Sequence, residues 1–110
     1  MNKIIASLLV VTLLAGCAVQ GESVKYQAGA DTLEVNAKVD GRKFTATVFI
    51  DGHVALVHHY PPFVNSRDEQ TLQYQGHRVR SVLRIIKGIG NTTAQIFVYI
   101  DGGDAVEFFF

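Results

Sequence analysis

The sequence predicts an all-β fold: a small antiparallel β-sandwich or flattened barrel of about seven short strands over residues 31–110. Three observations predict it. Apolar and polar residues alternate with period two in successive runs, which marks strands with one buried face. Asp-Gly and other glycine turns join those runs. Beyond residue 17, no long stretch repeats its apolar residues at helical spacing.

The elements follow in order. In Thr32–Val39 (TLEVNAKV), Leu33, Val35, Ala37 and Val39 face one way, and Glu34, Asn36 and Lys38 the other. Asp40-Gly41 comes next, a strong hairpin signal because a type I′ turn needs positive φ at both central residues. Arg42–Ile50 (RKFTATVFI) alternates again, and Asp51-Gly52 returns the chain into His53–Tyr60 (HVALVHHY). Read as two-residue loops, these turns pair Val39 with Arg42, Ala37 with Phe44, Val35 with Ala46 and Leu33 with Val48. They also set Val48 against Ala55 and Ala46 against Val57. The apolar partners then share one face, as they must when a slip of one residue would expose the whole set.

Pro61 and Pro62 cannot donate to a central ladder, so Tyr60–Gln70 is expected to be a loop. Within it, Ser66 and Glu69 have the spacing of a capping box that starts one short helical turn. Four further strands are expected in Thr71–Gln75, His77–Ile86, Thr92–Ile100 and Ala105–Phe110. Ala18–Ala30 (AVQGESVKYQAGA) has the small, polar composition of a flexible tether.

Residues 1–16 read as a leader. Lys3 precedes an apolar run from Ile4 to Ala15, broken only by Ser7 and Thr12, and small residues follow. A membrane-spanning helix needs ~20 apolar residues, so this run is too short to be one. Leu14-Ala15-Gly16-Cys17 resembles the lipobox of bacterial lipoproteins. The resemblance implies cleavage between Gly16 and Cys17, a diacylglyceryl group on the Cys17 sulfur and acylation (palmitate or a similar chain) of the new amino group. Because Ala18 rather than aspartate follows Cys17, it also implies sorting to the outer membrane, with membrane contact made through that lipid. Cys17 is the only cysteine, so an exported chain has no internal disulfide and the thiol is free to accept lipid.

Composition narrows the function. With 10 Lys+Arg against 10 Asp+Glu, the chain lacks the basic excess of a nucleic-acid binder. His53, His58, His59 and His77 have no metal-ligand spacing, and His58 and His59, adjacent in a strand, point to opposite faces. Asp101-Gly102-Gly103-Asp104 lacks the remaining ligands of a calcium loop and reads as a turn. Gly88-Ile89-Gly90-Asn91 lacks the context of a dinucleotide loop, and no G-x-S-x-G nucleophile motif is present. No cofactor, metal, catalytic residue or small-molecule substrate is therefore expected.

Two groups of residues point to recognition of a protein. Tyr60, Phe63 and Arg67 gather on the proline loop, the residue types that make binding hot spots. Arg78, Arg80 and Arg84 share a strand face with Val82 and Ile86. At the C-terminus Phe108 and Phe110 point one way and Phe109 the other, so a hydrophobic edge, with Phe110 at its end, is offered either to a core or to a partner chain. The expected role is non-catalytic binding of another envelope protein. In size, leader and single anchored domain the chain is similar to phage-encoded exclusion lipoproteins of the Cor type. That likeness implies blocking of an outer-membrane receptor against superinfection. The alternatives are a structural or assembly subunit of an envelope complex, and an inhibitor of a periplasmic enzyme.

Overall fold

The computed structural model describes residues 18–110. Leu14, Ala15, Gly16 and Cys17, on which the lipid-anchor expectation falls, lie outside the described residues.

Two antiparallel sheets pack face to face. The first contains β1 (Ala18–Gln20), β2 (Val24–Ala28), β3 (Asp31–Asp40), β4 (Thr45–Ile50) and β5 (His53–His59). The second contains β6 (Ser66–Tyr74), β7 (His77–Lys87), β8 (Thr92–Ile100) and β9 (Val106–Phe109). Seven of these strands lie within residues 31–110. Each sheet pairs strands consecutive in the chain, apart from β1, which skips β2 to join β3. The Pro61-Pro62 segment carries the chain from one sheet to the other, since proline cannot extend either ladder.

The core lies between the inner faces. Leu33, Val35 and Ala37 of β3, with Ala46, Val48 and Ile50 of β4, meet Val79, Leu83 and Ile85 of β7, Ile96 and Val98 of β8, and Phe108 of β9. The period-two pattern is thus used directly: nearly all inward residues are apolar and buried, and their alternates face outward.

The Asp40-Gly41 hairpin differs from the expected two-residue loop. Asp40 pairs with Thr45, so Gly41–Phe44 form a four-residue connection. Asp40 Oδ1 accepts from the Arg42 and Lys43 N–H groups, at 2.9 and 3.3 Å, which starts a wider turn. Phe44 closes it at φ 55°. The register moves by an even number of residues, to Val35 with Ile50, Ala37 with Val48 and Val39 with Ala46. The same side chains therefore still face the core.

Asp51-Gly52 is the two-residue turn expected, with φ of 54° and 81° and Ile50 opposite His53. Beyond it the register shifts at Val48/Phe49, so Val48 faces Leu56 and Ala46 faces His58, rather than Ala55 and Val57. One extra residue turns the rest of β5 over. Leu56 and His58 go inward, and His58 is fully buried.

Two further expectations are corrected. Residues 18–28 are not a free tether. Val24, Tyr26 and Ala28 alternate with Lys25 and Gln27, and β2 pairs along β3 from Val24 opposite Val35 to Ala28 opposite Asp31. β1 takes the remainder of the same edge, with Ala18 opposite Asp40. That edge offered unpaired backbone groups, which these strands satisfy. Gly21, between them, donates to the Ala37 carbonyl at 2.9 Å and lies beneath the Phe108 ring; a Cβ there would meet Phe108 Cδ1 at 3.0 Å. Ser66 and Glu69 cap no helix: β6 already begins at Ser66, which pairs with Ile85.

Candidate interaction surfaces

On β7 the inward positions are Val79, Ser81, Leu83 and Ile85, which puts Arg78, Arg80, Val82, Arg84 and Ile86 on the outer face, as the sequence spacing predicts. The ladder brings Gln73, Thr71, Glu69 and Arg67 of β6 beside Arg78, Arg80, Val82 and Arg84 in turn. On the other side stand Tyr99, Phe97 and Gln95 of β8, and Phe109 of β9 lies edge-to-face with Phe97 at 6.1 Å between ring centres. The outer face of the second sheet is thus an aromatic strip bordered by arginines.

Its charges are organised. Glu69 accepts from Arg80 Nη1 and Arg67 Nη2, both at 3.1 Å, and these bonds, Arg80's first, hold its carboxyl below the usual range. The Arg80 guanidinium also stacks 4.3 Å from the Tyr99 ring centre, which fixes its plane. Arg78 and Arg84 have no ion-pair partner among the described residues. Arg78, Arg80, Tyr99, Asp101 and Gly102 line an open groove of about 430 Å³.

The remaining sequence-predicted residues are placed elsewhere. Tyr60 packs against the core and edge-to-face with Phe44, and burial, then Asp40, pushes its hydroxyl pKa up. Phe63 is 76% exposed and also touches Phe44, with Lys87 Nζ 5.5 Å from its ring centre. Arg67 lies on the arginine-bordered face, so the structure does not unite it with Tyr60 and Phe63. Phe110 packs against the core, its N–H and C=O both bonded to Ala94, while Phe109 takes the outward position.

Two histidine clusters escape the sequence reading. His58 Nδ1 lies 2.7 Å from Asp68 Oδ2, and its Nε2 lies 2.8 Å from Ser81 Oγ. A carboxylate only accepts, so Nδ1 carries a proton towards Asp68, while Nε2 and the Ser81 hydroxyl, which can donate or accept, share the second bond. Asp68 Oδ2 also accepts from Gln70 Nε2 at 3.0 Å; that bond first, and His58 next, lower its pKa. The order Ser–His–Asp matches a nucleophile, base and orienting carboxylate. But Ser81 and His58 are both at 0% exposure, so no substrate carbonyl reaches Ser81 Oγ. Across the sandwich the cluster ties β5 to β6 and β7. Its one signal in the sequence is Ser81, a polar residue at a core position between Val79 and Leu83.

His77 is held between Asp31 Oδ2 at 2.7 Å and Asp101 Oδ2 at 2.6 Å. Two carboxylates can both accept from a protonated ring, so this geometry favours the imidazolium form. Asp31 first and Asp101 second raise its pKa, while His77 and the Arg78 N–H lower that of Asp101. The three residues are far apart in sequence and join the ends of the two sheets. Among the described residues, no group of three or more His, Cys, Asp or Glu side chains is arranged to hold a metal ion.

Comparisons with protein families, with curated proteins and with solved structures find no match to this chain.

Proposed function

We propose that the protein is an outer-membrane lipoprotein, acylated at Cys17, whose sandwich binds another envelope protein without catalysis. The observation that carries this reading is the outer face of the second sheet. There Arg78 and Arg84, with no ion-pair partner among the described residues, stand beside the Arg80–Tyr99 stack and the Phe97–Phe109 pair. Arginine and aromatic side chains on a rigid sheet are what hot spots are built from, because little side-chain freedom remains to be lost on binding. The matching partner presents acidic and apolar groups together, with a carboxylate reaching Arg78 in the groove. Where that partner is an outer-membrane receptor, occupation of its outer surface would exclude phages that use it, the behaviour implied by likeness to Cor-type lipoproteins.

The test is expression in a Gram-negative host of the chain, its Cys17→Ala variant and an Arg78→Glu/Arg80→Glu variant, followed by adsorption of a phage panel. Loss of adsorption of some phages, restored by either variant, supports receptor blocking and identifies the receptor they share. Unchanged adsorption across the panel, with the protein present in the outer membrane, overturns it in favour of an assembly subunit.

A further inference from the structure

The two ends of the sandwich differ in chemistry. One end carries the turns Gly29-Ala30, Asp51-Gly52 and Gln75-Gly76 and the loop Asp101–Ala105, and with them Asp31, Asp51, Asp101 and Asp104. Contacts of His77 with Asp31 and of Tyr74 with Asp51 show that both sheets end there. The opposite end, roughly 33 Å away along β7, is formed by loops Gly41–Phe44, Tyr60–Asn65 and Gly88–Asn91. Lys87 N bonded to Asn65 Oδ1 at 2.7 Å and the Phe44–Phe63 contact bring these loops together. This second end exposes Phe63, Val64 at 49% and the whole of Ile89. Around them stand exposed Arg42, Lys43 and Lys87. The carboxylate closest in sequence to these loops is Asp40, already engaged by the Arg42 and Lys43 N–H groups.

β1 runs to this same end, because Ala18 lies opposite Asp40. Ala18, which follows in sequence the residue that would carry lipid, therefore lies at the end with exposed apolar tips and cations. We propose that this end is a lipid-contacting surface. Phe63, Val64 and Ile89 enter the interface of an anionic bilayer, and Arg42, Lys43 and Lys87 meet its headgroup phosphates. Interfacial anchors combine these two contributions, apolar burial and electrostatic attraction. The proposal deepens the lipoprotein reading, on which it rests for the direction of the anchor. It also points the aspartate-rich end, and the Arg78 groove beside it, away from the membrane.

The experiment places one environment-sensitive fluorophore at Phe63→Cys, Ile89→Cys or, as the far-end control, Gln75→Cys. Each is made in the full chain with Cys17 and in a Cys17→Ser background, both assayed on phosphatidylethanolamine–phosphatidylglycerol vesicles containing brominated acyl chains. All three positions are exposed, so the substitutions leave the core intact. The expected result is quenching at 63 and 89 at least about twofold stronger than at 75, as residues ~5–10 Å deep in the interface require. Adding Phe63→Asp to the Ile89→Cys chain should then abolish quenching at 89. Equal, weak quenching at all three positions overturns the proposal, whatever the state of Cys17. A wild-type Cys17 thiol that still reacts with maleimide overturns the lipoprotein reading separately; quenching in the Cys17→Ser chains then decides the lipid-contacting surface by itself.

Discussion

Removing His58 should change the sign of a second mutation. In the native protein Ser81→Ala removes a 2.8 Å bond and leaves His58 Nε2 buried without a partner. That should cost about 1–3 kcal/mol, the desolvation penalty of an orphaned group. His58→Leu fills a similar volume but strands the Ser81 hydroxyl, itself fully buried. Asp68 is less affected, since its side chain is 39% exposed and keeps Gln70. In the His58→Leu background, Ser81→Ala then removes an unsatisfied hydroxyl and should stabilise by about 1 kcal/mol. The double-mutant cycle therefore predicts a coupling of about 2–4 kcal/mol. Urea unfolding of the four proteins measures it. For a domain of this size, each kcal/mol also moves Tm by about 4–8 °C. An equal cost of Ser81→Ala in both backgrounds would refute the idea that the hydroxyl and imidazole are one satisfied unit.

Three other outcomes are expected. His77 has its pKa raised above the ordinary 6.5, so its contribution is full below that pH and is lost as pH climbs through the raised value. Asp101, lowered from 3.8, contributes above that value and loses its contribution as pH falls, so the cluster stabilises most between these limits. Thermal melts across that range should show Tm falling on the alkaline side, and His77→Gln should flatten the fall. Gly21→Val drives a side chain into the Phe108 ring and should destabilise by about 1–3 kcal/mol in denaturant titration. A fluorophosphonate should leave Ser81 unlabelled in the folded protein; stoichiometric labelling would mean that its burial does not protect it.

Much of the fold was legible because period two survives errors of register. The Asp40 turn is longer than its dipeptide signals, yet an even shift leaves Val35, Ala37, Ala46 and Val48 facing inward. β2 was missed because Val24, Tyr26 and Ala28 are few and interleaved with polar residues, and their strand exists only by pairing with the edge of β3. The outer arginines of β7 were legible by the same parity argument. What parity could not give was which of them would be neutralised. Glu69 was set aside as a helix cap, and only the β6–β7 ladder brings it between Arg67 and Arg80.

The bulge at Val48/Phe49 is where local and tertiary demands part. Without it, Ala55 and Val57 would line the core and His58 would face outward, the arrangement that the hairpin alone favours. With it, β5 gives up a methyl and an isopropyl for Leu56 and an imidazole. An imidazole buried between two sheets is tolerable only if both nitrogens are satisfied. Asp68 and Ser81 do this from two different strands of the opposite sheet, with Gln70 bridging Asp68 to the Val57 carbonyl. An apolar contact would accept many sliding arrangements of one sheet over the other. A ring with two directional bonds accepts one, since a slip of a single residue pair would break both. In a small sandwich whose only cysteine is Cys17, this cluster supplies at the β5–β6 side the fixed alignment that a crosslink would otherwise give. His77, Asp31 and Asp101 supply the same at the aspartate-rich end.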